Sequence, residues 1–400
     1  MRSLHKIITI ILSAVLACNA VLIPVFSQNE QTDPIPTEIN QTNGASAEFL
    51  CQPDNYSMNQ DYCVSLGPSE KLTKLAAEGK SDAKVPFNPQ KIDPSLSTVP
   101  YNYAKLNLEN TESAPLYNTV EDAIAGINAI GEIPAGGIRY VSYINRVDTA
   151  DGHYVQAKNG SWLRASPAAL PTATLGRTFT VTPSNNFGWV FEGCNPYLEP
   201  NYNSGVNTSV WFDREQVLEV LETTQDKNTA WFKVGENQWL DRNHFRCAYI
   251  NTTPPEGVTN GRWIEVDLHE QVVMAYENNS LVFAAMVATG MKPFYTKPGI
   301  FQIYEKKEAE NMTGAFEADK SDYYSLDDVP FTMYFDEARA LHGAYWRAWY
   351  GYEQSHGCVN MTIGDAHWLY NWAQIGDTVY VHDPSGETPT DPSYYGAGGA

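Results

Sequence analysis

The chain has 400 residues and a formal net charge of −21; charged residues make up only 18% of it, and Trp, Tyr and Phe 12%. This length allows two or three domains, and the composition is typical of an extracellular, mainly β protein. The strong negative charge repels phosphate backbones, so it disfavours nucleic acid as a partner. The sequence has neither a P-loop nor a GxGxxG motif that opens a helix, and we predict no cofactor.

The N-terminus is typical of an exported protein. Arg2 and Lys6 precede an apolar run from Ile7 to Phe26, and polar residues follow it. This pattern predicts a signal peptide over residues 1–27 or, because the run has about 20 residues, an uncleaved membrane anchor. A loose lipobox ends at Cys18, but apolar residues continue past it, which argues against lipidation. We therefore expect an extracytoplasmic protein that meets the membrane only through this segment.

Three regions follow before the sequence becomes more regular. Residues 28–48 are rich in Gln, Thr, Pro and Asn and predict a flexible spacer, whereas residues 49–135 carry no motif to which we assign a role. Residues 136–252 hold a weak repeat in which an aromatic residue precedes Trp-Leu by eight positions, namely Tyr154 before Trp162 and Trp231 before Trp239. Each copy predicts a β-hairpin of a small accessory β region, whose aromatic rings either fill its core or form a binding surface.

The cysteines fit an oxidising compartment. Cys18 belongs to the export segment and Cys358 to a motif described below, and the other four are Cys51, Cys63, Cys194 and Cys247. The economical pairing is Cys51–Cys63 with Cys194–Cys247. Four cysteines allow three connectivities, however, and four reduced thiols remain an alternative.

From residue 262 the sequence predicts a succession of short strands. Trp263 to Leu268 alternates between apolar residues and two acids, which predicts a strand with one buried face. Further strands are predicted at Gln271–Tyr276, Leu281–Ala288, Ile300–Tyr304, Phe331–Phe335 and Thr378–His382. This succession indicates an antiparallel β-sandwich or a barrel-like sheet.

One short helix interrupts these strands near the C-terminus. Thr362 and Asp365 have the spacing of a capping box, and they predict a helix that runs to about Ala373. Residues 384–400, rich in Pro, Ser, Gly and Tyr, predict a disordered tail.

The most informative motif directly precedes this helix. It reads Ser355-His356-Gly357-Cys358-Val359-Asn360, and a His342-Gly343 pair lies upstream. A thiol attacks carbonyl groups as a thiolate, and a nearby imidazole is the usual base that generates it. Zinc is the alternative, since His382 adds a fourth ligand to His342, His356 and Cys358, but no CxxC pair or HExxH helix accompanies them. We therefore predict nucleophilic catalysis and no metal.

The motif resembles the signature of the YkuD-type L,D-transpeptidases, in which His-Gly precedes Ser/Thr-His-Gly-Cys, a hydrophobic residue, and Arg or Asn. The resemblance covers residues 262–383 and includes the Thr296–Gly299 turn. It implies a YkuD-like β-sandwich catalytic domain that cross-links peptidoglycan stem peptides. The segment Gln216–Ala248 in addition resembles a bacterial SH3-like module, so we expect an SH3-like accessory region before the catalytic domain.

The resemblance also implies roles for the residues of the motif. The thiolate of Cys358 attacks the third-residue carbonyl of a stem tetrapeptide and releases D-alanine, and a diamino-acid side-chain amine then resolves the acyl-enzyme into a 3-3 cross-link. His342 is the general base, and the carbonyl of Gly343 orients it. His356 lines the pocket, and the N–H of Gly357, with that of Cys358, stabilises the oxyanion. The position of Cys358 before a helix favours the thiolate.

Three more residues are candidates for the substrate site. Ser355 and Asn360 are expected to hold the loop through side-chain hydrogen bonds. Many family members carry Arg at the position of Asn360, so we infer no cationic contact to a substrate carboxylate there. Tyr334 lies either at the mouth of the pocket or packed within the sheet.

Other outcomes of the same chemistry remain open. An L,D-carboxypeptidase resolves the acyl-enzyme with water, and a wall-anchoring transpeptidase resolves it with an amine on a protein. The sequence does not separate these reactions, because the choice of acceptor depends on the shape of the pocket. A non-enzymatic wall-binding protein is disfavoured, since the histidines and the cysteine of the motif are intact.

Overall fold

A computed structural model describes residues 49–51, 63–65, 87–227, 229–315 and 322–395. The predicted signal peptide or anchor, the spacer and the side chains of the proposed Cys51–Cys63 pair lie outside the described residues. The chain divides into two units, Met1–Lys80 and Ser81–Ala400. In the first, β1 (Phe49–Cys51) and β2 (Cys63–Ser65) pair in parallel. In the described ranges no helix has the length and apolarity that crossing a membrane requires.

The second unit consists mainly of strands. Its first elements are β3 (Gln90–Lys91), a 3-10 helix (Pro94–Ser97), β4 (Asn102–Lys105), β5 (Ala114–Leu116), α1 (Val120–Ala125), β6 (Gly131–Ile133), β7 (Ile138–Thr149), β8 (Gly152–Ala157), β9 (Trp162–Arg164), β10 (Ser166–Pro167) and β11 (Arg177–Thr178). The next are β12 (Phe187–Val190), β13 (Val217–Glu219), β14 (Glu222–Gln225), β15 (Ala230–Gly235), β16 (Gln238–Asp241) and β17 (Phe245–Ala248). The last are β18 (Trp263–Asp267), β19 (Val272–Glu277), β20 (Ser280–Met286), β21 (Gly299–Gln302), β22 (Glu305–Gly314), β23 (Tyr324–Asp336), β24 (Arg339–Gly343), β25 (Val359–Met361), α2 (Ile363–Trp372), β26 (Thr378–His382) and a 3-10 helix (Pro392–Tyr394).

Two large sheets enclose the main core. The first has the order β10-β4-β7-β23-β24-β25, with β22 on β23 and the β8–β9 hairpin on β7. The second has the order β21-β26-β18-β19-β20-β11-β3. Apolar side chains from both sheets meet in one cluster with Ala366 and Leu369 of α2. The predicted mainly β sandwich is therefore confirmed, although the pairs β7–β23, β24–β25 and β18–β26 are parallel.

Strand β18 differs from the prediction of one buried face. All five of its residues are buried, including Glu265 and Asp267. The face that carries Trp263 is covered by a second cluster, to which Phe187 and Trp189 of β12 contribute. The two acids are tolerated there because each has a partner: Glu265 bonds to His382, and Asp267 accepts the backbone N–H groups of residues 269 and 270.

The residues before 262 extend both large sheets. Strands β4, β7 and β10 belong to the first sheet, and β3 and β11 belong to the second. Asp365 of α2 accepts the backbone N–H groups of Leu175 and Gly176, at 3.1 and 2.8 Å. The boundary that we predicted at residue 262 therefore does not coincide with a break in either sheet.

Both predicted aromatic hairpins are present. In β8–β9 Val155 lies opposite Leu163, and in β15–β16 Phe232 lies opposite Leu240. The first hairpin continues the first large sheet, whereas the second forms a three-stranded sheet with β14. Trp231 and Trp239 are buried, so these rings fill a core. The SH3-like character of residues 216–248 stays a prediction.

The predicted Cys194–Cys247 disulfide is not formed. Both residues are free thiols that belong to one apolar cluster, in which Cys247 is fully buried and Cys194 is half-buried. Cys247 lies on β17, whereas Cys194 lies beyond β12 and pairs with Phe212. Each sulfur is packed as a small apolar group, which needs no covalent link.

The C-terminal elements agree with the sequence except in the tail. Helix α2 begins after Thr362, whose hydroxyl accepts the N–H of Asp365 at 3.1 Å, as the capping pattern predicts. Residues 384–395, predicted as part of a disordered tail, instead follow a defined path. Asp383 accepts hydrogen bonds from the N–H groups of Ser385 and Thr388, and Pro392–Tyr394 forms a 3-10 turn.

Candidate active site

The two halves of the motif meet because β24 and β25 are neighbours. Strand β24 ends with His342 and Gly343, and Cys358 directly precedes β25, in which Asn360 lies opposite His342. Two residues that lie 16 positions apart along the chain, His342 and Cys358, are thus brought to neighbouring strands. Beside these strands is a pocket, and the predicted residues that line it are His342, Ser355, His356, Cys358 and Asn360.

His342 is buried and held in one orientation. Its Nδ1 lies 3.1 Å from the carbonyl oxygen of Gly343, as predicted. A carbonyl only accepts hydrogen bonds, so Nδ1 carries the proton and Nε2 of the neutral ring keeps a free lone pair. Burial lowers the pKa of His342 to about 4. At neutral pH this imidazole is therefore uncharged and able to accept a proton.

Cys358 is a thiol in this environment. Burial raises its pKa, which outweighs the lowering by the hydrogen bond with Ala340 and by the charge of Arg339. Its Sγ lies 3.7 Å from the carbonyl oxygen of Ala338, to which the S–H donates. Helix α2 begins at Ile363, five residues after Cys358, and the effect of a helix dipole fades within the first turn. The prediction that this position favours the thiolate is therefore wrong for the resting protein.

Side-chain hydrogen bonds hold the turn before Cys358. The hydroxyl of Ser355 donates to the carbonyl of Cys358 at 2.6 Å and accepts the N–H of Gly357 at 3.2 Å. Gly357 has a φ of +112°, a conformation that glycine adopts without strain. Its N–H, which we predicted as an oxyanion donor, is therefore already engaged.

A buried threonine fixes this turn from the other side. The hydroxyl of Thr296 donates to the carbonyl of Gly357 at 2.8 Å and accepts the N–H of Gly290 at 2.9 Å. Thr296 belongs to the Thr-Lys-Pro-Gly turn, which the sequence indicated as a family feature without a role. A hydroxyl that donates and accepts between two loops explains why this position is polar although it is buried.

Asn360 accepts a hydrogen bond from an arginine that lies outside the motif. The Nε of Arg347 donates to Oδ1 of Asn360 at 3.2 Å, and its Nη2 donates to the carbonyl of Gln354 at 2.5 Å. Arg347 lines the pocket, so a guanidinium is present although the motif itself ends in Asn. Arg347 could not be recognised from the sequence, because its spacing from the motif carries no signal.

Aromatic rings flank His356. Its imidazole stacks on Phe294, with ring centroids 4.7 Å apart, and lies 5.3 Å from the ring of Tyr324. Burial lowers the pKa of His356. The ring lines the pocket, as predicted, and is fixed there by its neighbours.

Two other candidates lie away from the pocket lining. Tyr334 packs in a core cluster and stacks on Tyr304, whereas Tyr324, ten residues earlier on β23, lines the pocket. His382 lies on β26, and its Nε2 is 2.9 Å from Oε1 of Glu265 on β18. Tyr334 is thus packed within the sheet, which is one of the two predicted alternatives. Tyr324 could not be recognised from the sequence, because the alternation of β23 is broken by positive φ values at Asp328 and Phe331.

A β-sandwich with a Cys-His pocket at the meeting of two parallel strands is compatible with acyl transfer. Residues 261–381 match the sequence model of the YkuD L,D-transpeptidase catalytic domain. This part of the chain is therefore similar to the catalytic domains of L,D-transpeptidases, which are broadly acyltransferases. A search of curated proteins found no match to the chain.

Solved structures similar to the chain include three L,D-transpeptidases. A cysteine-to-serine mutant of the Enterococcus faecium enzyme has 24% identity and a TM-score of 0.28, over 30% of this chain and 49% of that one. The Stackebrandtia nassauensis enzyme has 25% identity and a TM-score of 0.26, over 35% and 62%. The Mycobacterium smegmatis enzyme has 14% identity and a TM-score of 0.29, over 52% and 89%. The chain thus spans about half the length of the enterococcal protein, and the assignment rests on the family match alone.

Proposed function

We propose that this protein is a peptidoglycan L,D-transpeptidase that uses Cys358 as its nucleophile. The observation that carries the proposal is the pocket in which the thiol of Cys358 lies with the imidazoles of His342 and His356. An oriented base beside a thiol is the arrangement that activates a nucleophile. The similarity of residues 261–381 to the L,D-transpeptidase catalytic domain supports a peptidoglycan stem peptide as the substrate.

The resting protonation states set the order of the first step. Cys358 is a thiol and His342 is neutral, so Nε2 of His342 takes the proton as sulfur attacks the third-residue carbonyl of a stem tetrapeptide. The bond to the terminal D-alanine then breaks, and the imidazolium returns the proton to the leaving amine. A thioester on Cys358 and free D-alanine result.

In the second step an amine is the nucleophile and the sulfur of Cys358 is the leaving group. The side-chain amine of a diamino acid on a second stem attacks the thioester, and His342 accepts a proton from that amine. The thiolate leaves and is reprotonated by His342, and a 3-3 cross-link remains. Since the N–H of Gly357 is engaged by Ser355, we assign the oxyanion of both steps to the N–H of Cys358.

Analysis of the products tests the reaction. The full chain is incubated with a disaccharide-tetrapeptide, with and without an excess of an amine acceptor, and the products are separated and weighed. Transpeptidation predicts a 3-3 linked dimer that increases with acceptor. Tripeptide alone, unaffected by acceptor, would instead identify an L,D-carboxypeptidase, and transfer only to a protein amine would identify a wall-anchoring enzyme.

A further inference from the structure

A second pocket adjoins the candidate active site. It shares Ile138, Trp346 and Arg347 with the pocket of Cys358. Its outer wall comes from the first large sheet, where Lys105 of β4 lies opposite Tyr140 of β7. This side pocket is thus built jointly by the family domain and by strands that precede it.

The charge of the side pocket is opposite to that of the chain. Its lining contains two cations, Lys105 and Arg347, and no carboxylate among the described residues that form it. Within the described ranges neither cation makes an ion pair, although the chain has a net charge of −21. Two unpaired cations in so acidic a protein indicate a site for an anion.

The environment of Arg347 favours the binding of an anion beside its guanidinium. Arg347 is half-buried, and burial lowers its pKa to about 10. Its two hydrogen bonds, to Asn360 and to the carbonyl of Gln354, go to neutral acceptors and leave the positive charge uncompensated. A buried cation is stabilised most by an anion that reaches it, and a planar guanidinium matches a carboxylate well.

We propose that the side pocket binds a carboxylate of the peptide substrate, with Arg347 as the inner contact and Lys105 as the outer one. The proposal rests on the proposed function, since it names a specificity site of the same reaction. Arg347 also donates a hydrogen bond to Asn360. One side chain would therefore contact both the substrate carboxylate and the segment that carries Cys358. The protein thereby prefers a stem peptide with a free carboxylate to one in which that group is amidated.

Direct binding tests this preference apart from catalysis. Two synthetic stem tetrapeptides, one with free carboxylates and one with carboxamides in their place, are titrated by calorimetry into full-length Cys358→Ala protein. We expect the acidic peptide to bind about tenfold more tightly. Lys105→Gln should reduce that preference about threefold, and Arg347→Gln should remove most of it. Lys292→Gln, which removes an exposed cation that lines a different pocket, should leave it unchanged.

Each outcome decides the proposal. Equal affinity for the two peptides, no binding of the acidic peptide, or a preference that survives both Lys105→Gln and Arg347→Gln would overturn it. Lys105 is exposed, so its variant remains informative if Arg347→Gln does not fold. If the preference holds but wild-type protein forms no thioester with the same peptides, then the proposed reaction fails while the carboxylate site stands.

Discussion

Thr296 donates a hydrogen bond from its hydroxyl to the carbonyl oxygen of Gly357, over 2.8 Å, one residue before the proposed nucleophile. The same hydroxyl accepts the N–H of Gly290, so one buried side chain fixes two loops. The position of the sulfur therefore depends on a residue that lies 62 positions before Cys358 in the sequence.

Replacing Thr296 with Val should loosen this turn. Valine has nearly the same shape but leaves a buried N–H and a buried carbonyl without their partner, which costs about 2 kcal/mol in the free energy of unfolding. We expect slower acylation of Cys358 together with this loss, measured by intact-protein mass and by denaturant unfolding. Thr296→Ser, which keeps the hydroxyl, should retain most of both properties. If Val and Ser behave alike, the hydroxyl has no positioning role.

The two histidines of the pocket should differ in their effect on rate. His342→Ala removes the proposed base, so acylation should fall by roughly 10²- to 10⁴-fold. His356→Ala removes a ring that lines the pocket, and the loss should be much smaller. Single-turnover acylation with a stem tetrapeptide measures both. A larger loss for His356→Ala would transfer the role of base to that residue.

The acylation rate should begin to fall only at an unusually low pH. The pKa of His342 is lowered to about 4, so the ring stays neutral and competent as a base from neutral pH down to about 5. The acylation rate should therefore stay constant over that range and fall as the pH approaches 4. Circular dichroism at each pH checks that the protein remains folded. A half-maximal rate near pH 6.5 would contradict the assignment of this buried histidine as the base.

Asp365 should contribute strongly to stability. Its carboxylate accepts the backbone N–H groups of Leu175 and Gly176, which connects α2 to the strands before the family domain. Asp365→Ala leaves both donors buried and unpaired, and we expect a loss of about 3 kcal/mol in the free energy of unfolding. Glu256→Ala, at an exposed acid, serves as the control in the same denaturant titration and should change it little. An equal effect of the two substitutions would show that this connection is not stabilising.

The parts of the structure with strong local patterns could be predicted from the sequence. The capping pair Thr362 and Asp365 predicted the start of α2, and the spacing of an aromatic residue before Trp-Leu predicted both hairpins. The pairing of Nδ1 of His342 with the carbonyl of Gly343 followed from the motif through its family resemblance. In each case the deciding residues lie within a few positions of one another.

Features that depend on distant residues could not be predicted. Both faces of β18 are covered because a sheet from residues 187–248 packs on it, which no local alternation indicates. The cation beside Asn360 comes from Arg347, and the thiol of Cys358 is kept protonated by burial. Burial and pairing of this kind arise only once the chain is folded, so the sequence alone carried no signal for them.

The role of Cys358 as the nucleophile is tested by the mass of the full-length protein after incubation with a stem tetrapeptide and no acceptor. We expect a tripeptidyl adduct that maps to Cys358 and is absent from Cys358→Ala, which should remain folded. An adduct in Cys358→Ala, or an unmodified wild-type protein that binds the peptide, would contradict Cys358 as the nucleophile.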